Sequence, residues 1–282
     1  MASMISEMLS YPFLVRAFIV GSLVALCCAL LGVSLVLKGF SMIGDGLSHV
    51  SFGAMTVAMA LNVTPLPFAL PIVVFAAFCL LKVQNNSKIK GDSAIALISS
   101  SALAIGLMAA SLTTGLNSDV YSYMFGSILS MQKSDVILSV SLSVLVLFLF
   151  VFCYHKIFAI TFDESFAKAS GIPVFGFNML LAFLSAVTIV LGMRMMGAML
   201  ISSLILFPCL ISRQLFQNFL GVTICSGVLS FISFTIGMIL SYQFDAPVSA
   251  SIVLVNLFFL LFFMAIQKFI IIRSINKGYV AK

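Results

Sequence analysis

The stretch Pro12–Leu37 reads PFLVRAFIVGSLVALCCALLGVSLVL and contains a single charged residue, Arg16. A helix needs about 20 consecutive apolar residues to cross the roughly 30 Å of hydrocarbon in a bilayer, and this stretch is longer than that. It lacks the alternation of apolar and polar residues that is typical of outer-membrane strands. We therefore predict that it is a membrane-spanning helix.

The rest of the chain has the same character, since 62% of the 282 residues are hydrophobic and only 8% are charged. A soluble domain carries nearer a quarter charged residues. Eight further apolar runs follow the first, approximately at Asp45–Leu61, Pro65–Val83, Ser93–Gly115, Val136–Ile160, Val174–Gly192, Met196–Ile211, Phe219–Tyr242 and Pro247–Phe269. The sequence predicts an all-α integral membrane protein, a polytopic bundle of about eight to nine segments in one transmembrane domain, residues 1–282. We expect the short run Met196–Ile211, interrupted at Pro208, to be broken or re-entrant.

Lysine and arginine are concentrated in four connecting regions, which are predicted to face the cytoplasm because such loops carry an excess of basic residues. The loops around residues 117–134 and around Asp245 are then expected outside. With nine segments the N-terminus lies outside, and with eight it lies inside. The four basic regions contain Lys82, Lys88 and Lys90; Lys156 and Lys168; Arg213; and Lys268, Arg273, Lys277 and Lys282.

Asp45 and His49 are ionisable residues inside an apolar run, where a charged side chain costs a few kcal/mol on insertion scales. On a helix they share one face, because residues four apart are neighbours. A carboxylate and an imidazole in that arrangement can both ligate one divalent cation. The alternative is a carboxylate at a helix start with a histidine bonded to a neighbouring segment. Gly53 and Thr56 continue the same face, and we expect this small, polar stripe to line a path.

The connection Asp163–Pro173 carries the signals of a short helix. Asp163 is a candidate N-cap, Glu164 lies in the first turn, and Gly171 and Pro173 follow the end. Two interpretations remain open on these signals alone. The segment is either a turn between two membrane segments or a docking helix that presents Phe166 to a cytoplasmic partner.

The remaining candidates have mainly structural interpretations. We expect the aromatic cluster Tyr121–Ser127 to belong to a membrane-interface belt, and His155 to be solvated at a helix end. Asp245 is expected in an outer turn, and the methionines 193, 195, 196 and 199 in packing rather than in a copper(I) site. The six cysteines lie within apolar runs without metal-ligand spacing, so buried thiols are expected: Cys27, Cys28, Cys79, Cys153, Cys209 and Cys225.

The chain contains no G-x-x-x-x-G-K-[ST] sequence with which to bind ATP. No Ser/His/Asp or Cys/His combination stands out as a catalytic set. Energy for any transport must therefore come from another subunit or from an ion gradient.

Several of these motifs together resemble the permease subunits of zinc/manganese-type ABC importers, over nearly the whole chain. The most specific is Ser41–His49, of the type G-D-x-[LS]-x-H. The others, in matching order, are Tyr123–Ser127, Asp163–Pro173, Gly192–Leu200 running into Pro208, and Asp245–Pro247 followed by Ser249. Cys209–Ser212 and Val248 depart from the pattern in small residues and do not touch the proposed ligands.

The resemblance implies a homodimeric permease of the bacterial cytoplasmic membrane, with a pathway between the two copies. It implies a pair of cytoplasmic ATPase subunits, an extracytoplasmic metal-binding protein, and no enzyme activity or resident cofactor in this chain. Asp45 and His49 match the metal-pathway pair, and residues 161–173 match the coupling loop, with Asp163, Glu164, Phe166 and Gly171 as its marked positions. Zinc is the favoured cargo, with manganese and iron as alternatives.

Two other function classes are compatible with the sequence. A secondary metal transporter or a channel would have the same segments and the same Asp/His pair but would work without an ATPase. An intramembrane enzyme is disfavoured because no nucleophile–base pair is evident.

The basic regions generate a topology prediction: residues 84–92, 161–173 and 270–282 face the cytoplasm. Single cysteines placed at Lys88 and Lys277, on a background without reactive native thiols, should resist an impermeant thiol reagent in intact cells. Labelling of either position from outside would overturn this topology.

Overall fold

The computed structural model describes the backbone of residues 10–86, 91–113, 126 and 133–280, and the side chains of residues 10–80, 93–113, 126 and 136–268. Every regular element in those ranges is a helix, which confirms the all-α prediction. In chain order the helices are α1 (Pro12–Leu37), α2 (Ile43–Ala60), α3 (Pro65–Asn86), α4 (Gly91–Leu112), α5 (Lys133–Phe152), α6 (Tyr154–Phe162), α7 (Glu164–Ala169), α8 (Val174–Met196), α9 (Ala198–Leu215), α10 (Phe219–Phe244) and α11 (Val248–Val280).

Helix α1 is the centre of the bundle, packed against α5, α8, α9 and α10. Helix α2 packs between α3 and α4 on one side and α8 and α9 on the other. The helices at the periphery expose large apolar side chains, such as Ile105 on α4 and Phe258 on α11. This distribution suits a bilayer, because lipid tails are as apolar as the side chains that face them.

Six helices in the described ranges are long and apolar enough to cross a membrane: α1, α8, α9, α10, and the parts of α4 and α11 at Ser93–Leu112 and Val248–Lys268. The run expected as one segment at Val136–Ile160 is divided at Cys153, where α5 and α6 meet at 67°, and this bent pair would be a seventh. Helix α2 and the shorter apolar part of α3, Pro65–Leu80, are the remaining apolar runs. The expected count of eight to nine is therefore not confirmed.

The expected break at Pro208 is wrong, since α9 runs continuously from Ala198 to Leu215. A proline in a helix removes one backbone donor. The oxygen that loses its donor is that of Leu204, four residues before Pro208, and the helix nevertheless continues through this position. The chain breaks instead at Gly197, whose φ of 81° separates α8 from α9.

Small residues let the helices approach closely. A Cβ atom added to Gly32 of α1 would lie 2.3 Å from the carbonyl oxygen of Ile205 on α9. A Cβ atom added to Gly53 of α2 would lie 2.4 Å from the carbonyl oxygen of Ala102 on α4. Serines add hydrogen bonds between α10 and α1, with Ser230 Oγ donating to Ala25 O at 2.9 Å. Close packing and interhelical hydrogen bonds of this kind replace the hydrophobic effect, which is weak between helices in lipid.

We expect Gly53→Ala to lower the thermal unfolding midpoint of the purified protein in detergent. The added methyl group would collide with the α4 backbone, and overpacking costs about 1–3 kcal/mol. The matched control is Gly176→Ala on α8, where an added Cβ has no neighbour within 4 Å and alanine favours the helix. An unfolding midpoint for Gly53→Ala equal to that of Gly176→Ala would refute the close α2–α4 contact.

Candidate functional site

A short turn places Asp45 near the start of α2. Helix α1 ends at Leu37, Gly39 adopts a φ of 82°, and the chain reverses so that α2 begins at Ile43. Asp45 then lies in the first turn of α2, where the positive end of the helix dipole favours a carboxylate. The side chain of Asp45 is about half exposed in the single chain, at 49%.

Asp45 and His49 share one face of α2, as their spacing predicts. Nε2 of His49 lies 3.6 Å from Oδ1 of Asp45, which is longer than a hydrogen bond. Two ligands at 2.0–2.2 Å from one tetrahedral cation are themselves about 3.4 Å apart. The separation is therefore compatible with a shared cation.

The pair opens into a cavity of about 300 Å³ between α2 and α4. A third polar group lies beside the carboxylate on α9, where the hydroxyl of Ser202 can donate its one proton either to Asp45 Oδ1 at 3.3 Å or to the carbonyl of Ala198 at 3.2 Å. Within the described residues no group of three or more His, Cys, Asp or Glu side chains could hold a metal ion. The cavity is lined by Met42, Asp45, His49, Ile95, Ala96, Ser99, Ser100 and Leu103.

The expectation that Gly53 and Thr56 line a path is wrong. Gly53 packs directly against the backbone of Ala102, and its neighbour on α4 is Gly106. Thr56 is fully buried, and its hydroxyl donates to the carbonyl of Phe52 at 2.8 Å. The polar face of α2 therefore ends one turn after His49, where close helix packing takes over.

The predicted short helix in the Asp163–Pro173 connection is α7, Glu164–Ala169. Asp163 is its N-cap, and Oδ1 accepts from the backbone N–H groups of Ser165 at 2.8 Å and Phe166 at 3.0 Å. Gly171 ends the segment with a φ of 78°. Phe166 points outward and is 66% exposed, so an aromatic side chain stands on the open face of α7.

The inner face of α7 holds contacts that the sequence analysis missed. Glu164 pairs with Lys38 at the end of α1, with 2.6 Å between Oε1 and Nζ, and accepts from Asn178 Nδ2 on α8 at 3.0 Å. The signal available in the sequence was Lys38 itself, a single basic residue between the first two apolar runs. Its partner lies more than a hundred residues away and could not be identified from the sequence.

The other predicted positions have mostly structural surroundings. His155 is exposed beside Tyr154, and Asp245 caps α10 in a left-handed turn with a φ of 50°. Met193, Met195 and Met196 are buried, whereas Met199 is half exposed. All six cysteines are free thiols; Cys27, Cys28 and Cys209 are buried as expected, whereas the other three are half-buried.

Some predictions concern positions outside the described residues. These are Lys88 and Lys90 and most of the outer loop, including Tyr121–Phe125 and Ser127. The side chains of Lys82, Arg273, Lys277 and Lys282 also lie outside the described set. Gly126 is described, with a φ of 81° and close contact to the backbone of Met196 and Gly197.

Comparison with known proteins gives consistent matches over almost the whole chain. A profile of the ABC 3 transport family matches residues 10–267. The manganese transport system membrane protein MntC of Halalkalibacterium halodurans is 28% identical over 95% of this chain and 92% of its own length. The high-affinity zinc uptake system membrane protein ZnuB of Buchnera aphidicola is 28% identical over 88% of this chain and 95% of its own. The solved structure of PsaBC from Streptococcus pneumoniae in complex with Fab matches with a TM-score of 0.83 and 26% identity, covering 93% of this chain and 94% of the other.

Proposed function

Because this chain belongs to the ABC 3 transport family, we propose that it is the permease subunit of an ATP-driven importer of divalent transition-metal ions. The observation that carries the proposal is the Asp45–His49 pair, held at 3.6 Å beside a cavity within a largely apolar bundle. Ionisable residues at membrane depth mark substrate and ion pathways more often than structural positions.

The cargo ion is bound in passing by Oδ1 of Asp45 and Nε2 of His49. Binding offsets the cost of keeping a carboxylate at membrane depth. When Ser202 donates to the same Oδ1, its hydroxyl orients the carboxylate in the manner of an outer-shell partner. Two ligands hold an ion weakly, and weak binding suits a pathway from which the ion must also leave.

A second copy of the chain would complete the pathway. The half-exposed carboxylate of Asp45 leaves room for further ligands from water or from the facing copy. The working unit proposed here is a homodimer in the bacterial cytoplasmic membrane, with the cargo passing between the copies. In that membrane all nine apolar runs, α2 and α3 included, would cross.

Energy is supplied from outside this chain. We propose that α7 docks on a cytoplasmic ATPase subunit, with Phe166 as the contact side chain, while Asp163 and Gly171 fix the shape of the helix. An exposed aromatic side chain on a short helix is well suited to fill a groove on a partner. An extracytoplasmic metal-binding protein would deliver the ion, and this chain itself carries out no chemical reaction.

For the cargo we propose Zn²⁺. Imidazole with carboxylate suits zinc, and divalent affinities rise from manganese through iron to zinc. One relative is named for zinc uptake and another for manganese transport, so Mn²⁺ is the main competing ion in any uptake measurement. Fe²⁺ is the second competing ion. A secondary transporter or channel is the alternative function, and it would continue uptake when ATP is depleted and the ion gradient is clamped.

We expect Asp45→Ala, Asp45→Asn and His49→Ala each to reduce uptake of radiolabelled zinc or manganese to background in vesicles that contain the ATPase. Each variant removes one of two protein ligands, and Asp45→Asn does so with little change of shape. Ser202→Ala should be milder, about tenfold, because it removes only the group that orients the ligand.

The matched controls are a histidine and an aspartate elsewhere in the chain. His155→Ala and Asp245→Asn should leave uptake close to wild type, since these residues lie at an exposed helix end and in a turn. Expression and dimer formation should be equal in all variants. Near-normal uptake by both alanine variants at Asp45 and His49 would show that the pair has only a structural role.

We expect Phe166→Asp to leave the protein inserted and stable but to prevent co-purification of the ATPase. The aromatic ring is exposed, so its loss removes no packing, whereas the new charge opposes burial in an apolar groove. Phe216→Asp, an exposed aromatic residue between α9 and α10, is the control that should keep the ATPase bound. If Phe166→Asp retains both the ATPase and transport, α7 is merely a connection.

A further inference from the structure

A partly buried charge cluster joins three parts of the bundle on the inner face of α7. Lys38 Nζ lies 2.6 Å from Glu164 Oε1 and donates to Asn178 Oδ1 at 2.5 Å. The amide of Asn178 in turn donates through Nδ2 to Glu164 Oε1 at 3.0 Å. The three side chains therefore form a closed ring that connects the end of α1, the start of α7 and α8.

Both charges in this ring are stabilised mainly by each other. The side chain of Lys38 is only 7% exposed, and burial lowers the pKa of its amine while Glu164 opposes that change. Burial would raise the pKa of Glu164, but the hydrogen bonds from Lys38 and Asn178 and the charge of Lys38 outweigh it and lower that pKa. Removing Glu164 would leave the ammonium group of Lys38 poorly solvated, which proteins tolerate badly, whereas the carboxylate of Glu164 is 42% exposed.

Lys38 stands directly before the helix that carries the candidate cargo ligands. Only residues 39–42 separate it from α2, and this turn is fixed by backbone hydrogen bonds from Phe40 N–H to Leu35 O at 2.8 Å and from Ile43 N–H to Phe40 O at 3.1 Å. The side chain of Phe40 is buried. A displacement of Lys38 must therefore move the start of α2 with it.

We infer that the Lys38–Glu164–Asn178 ring is the mechanical connection through which a movement of α7 reaches Asp45 and His49. The inference rests on the proposed docking role of α7 and adds the route by which docking acts on the pathway. None of the three residues touches the cargo or ATP, so all three are positioning residues. Glu164 belongs to the inner face of α7, whereas Phe166 belongs to its outer face.

The test measures cargo moved per ATP hydrolysed, in proteoliposomes that contain the permease and its ATPase with radiolabelled zinc or manganese. Glu164→Gln and Lys38→Met should keep the ATPase bound and hydrolysing while the transport-to-hydrolysis ratio falls at least about fivefold. Asn178→Ala should reduce the ratio in the same direction. Lys168→Gln, which removes a charge from the last turn of α7 away from this ring, should leave the ratio unchanged.

The exchanged pair Lys38→Glu with Glu164→Lys separates a connecting role from a purely structural one. The amide of Asn178 can rotate to serve either polarity, because one end donates and the other accepts. We expect the double variant to recover the ratio to within about twofold of wild type, well above either single variant. Failure of this recovery in a complex that assembles and has a normal unfolding midpoint would overturn the inference.

A second measurement needs no ATPase and no transport. Met42 lines the cavity beside Asp45 and is exposed, so a cysteine there reports on the start of α2. Its thiol labelling rate in the purified permease, read by mass spectrometry of the peptide containing residue 42, should change about fivefold or more in Glu164→Gln and return in the exchanged pair. An unchanged labelling rate would refute the connection, even if transport is ATP-driven. A changed labelling rate without ATP-dependent uptake would refute only the proposed function.

Discussion

Backbone amides and carbonyls have no water to bond with in hydrocarbon, so each must find its partner within the chain. This requirement accounts for the helical structure throughout the described ranges, and it also explains how side chains are used. Serine and threonine hydroxyls return to carbonyls of their own helix or, as with Ser230 and Ala25, reach a neighbouring one. Glycines such as Gly32 and Gly53 bring backbones together where no hydrophobic effect would do so.

Two clusters of polar side chains differ from these structural bonds, and a short segment of the chain connects them. The first is Asp45 with His49 and Ser202, beside a cavity. The second is Lys38 with Glu164 and Asn178, beneath the capped helix α7. The turn after α1 connects them within seven residues of sequence, which makes a direct mechanical relation between the two clusters physically reasonable.

Local signals were sufficient to predict much of this structure. The membrane class follows from composition, and α7 follows from Asp163 and Gly171, whose cap and left-handed turn depend only on nearby residues. The shared face of Asp45 and His49 follows from helical periodicity. The contacts that could not be predicted join residues far apart in the sequence. They are the contact of Ser202 with Asp45, the hydrogen bond between Lys38 and Asn178, and the packing of Gly53 against Ala102. The bend at Cys153 was also missed, since no proline or glycine marks it.

Helix α2 has a consequence for how the protein is made. Asp45, His49 and the glycines of α2 make it one of the least apolar of the long helices, and it is absent from the six that qualify as spans by themselves. An aspartate costs about 2.5–3.5 kcal/mol at the centre of a segment during insertion by the translocon, and Asp45, in the first turn of α2, adds a smaller cost. Helix α2 therefore depends on packing against other helices for a stable place in the bilayer, and those that contact it, α3, α4, α8 and α9, all follow it in the chain. Synthesis of the chain therefore reaches α2 before the helices that pack against it have been made.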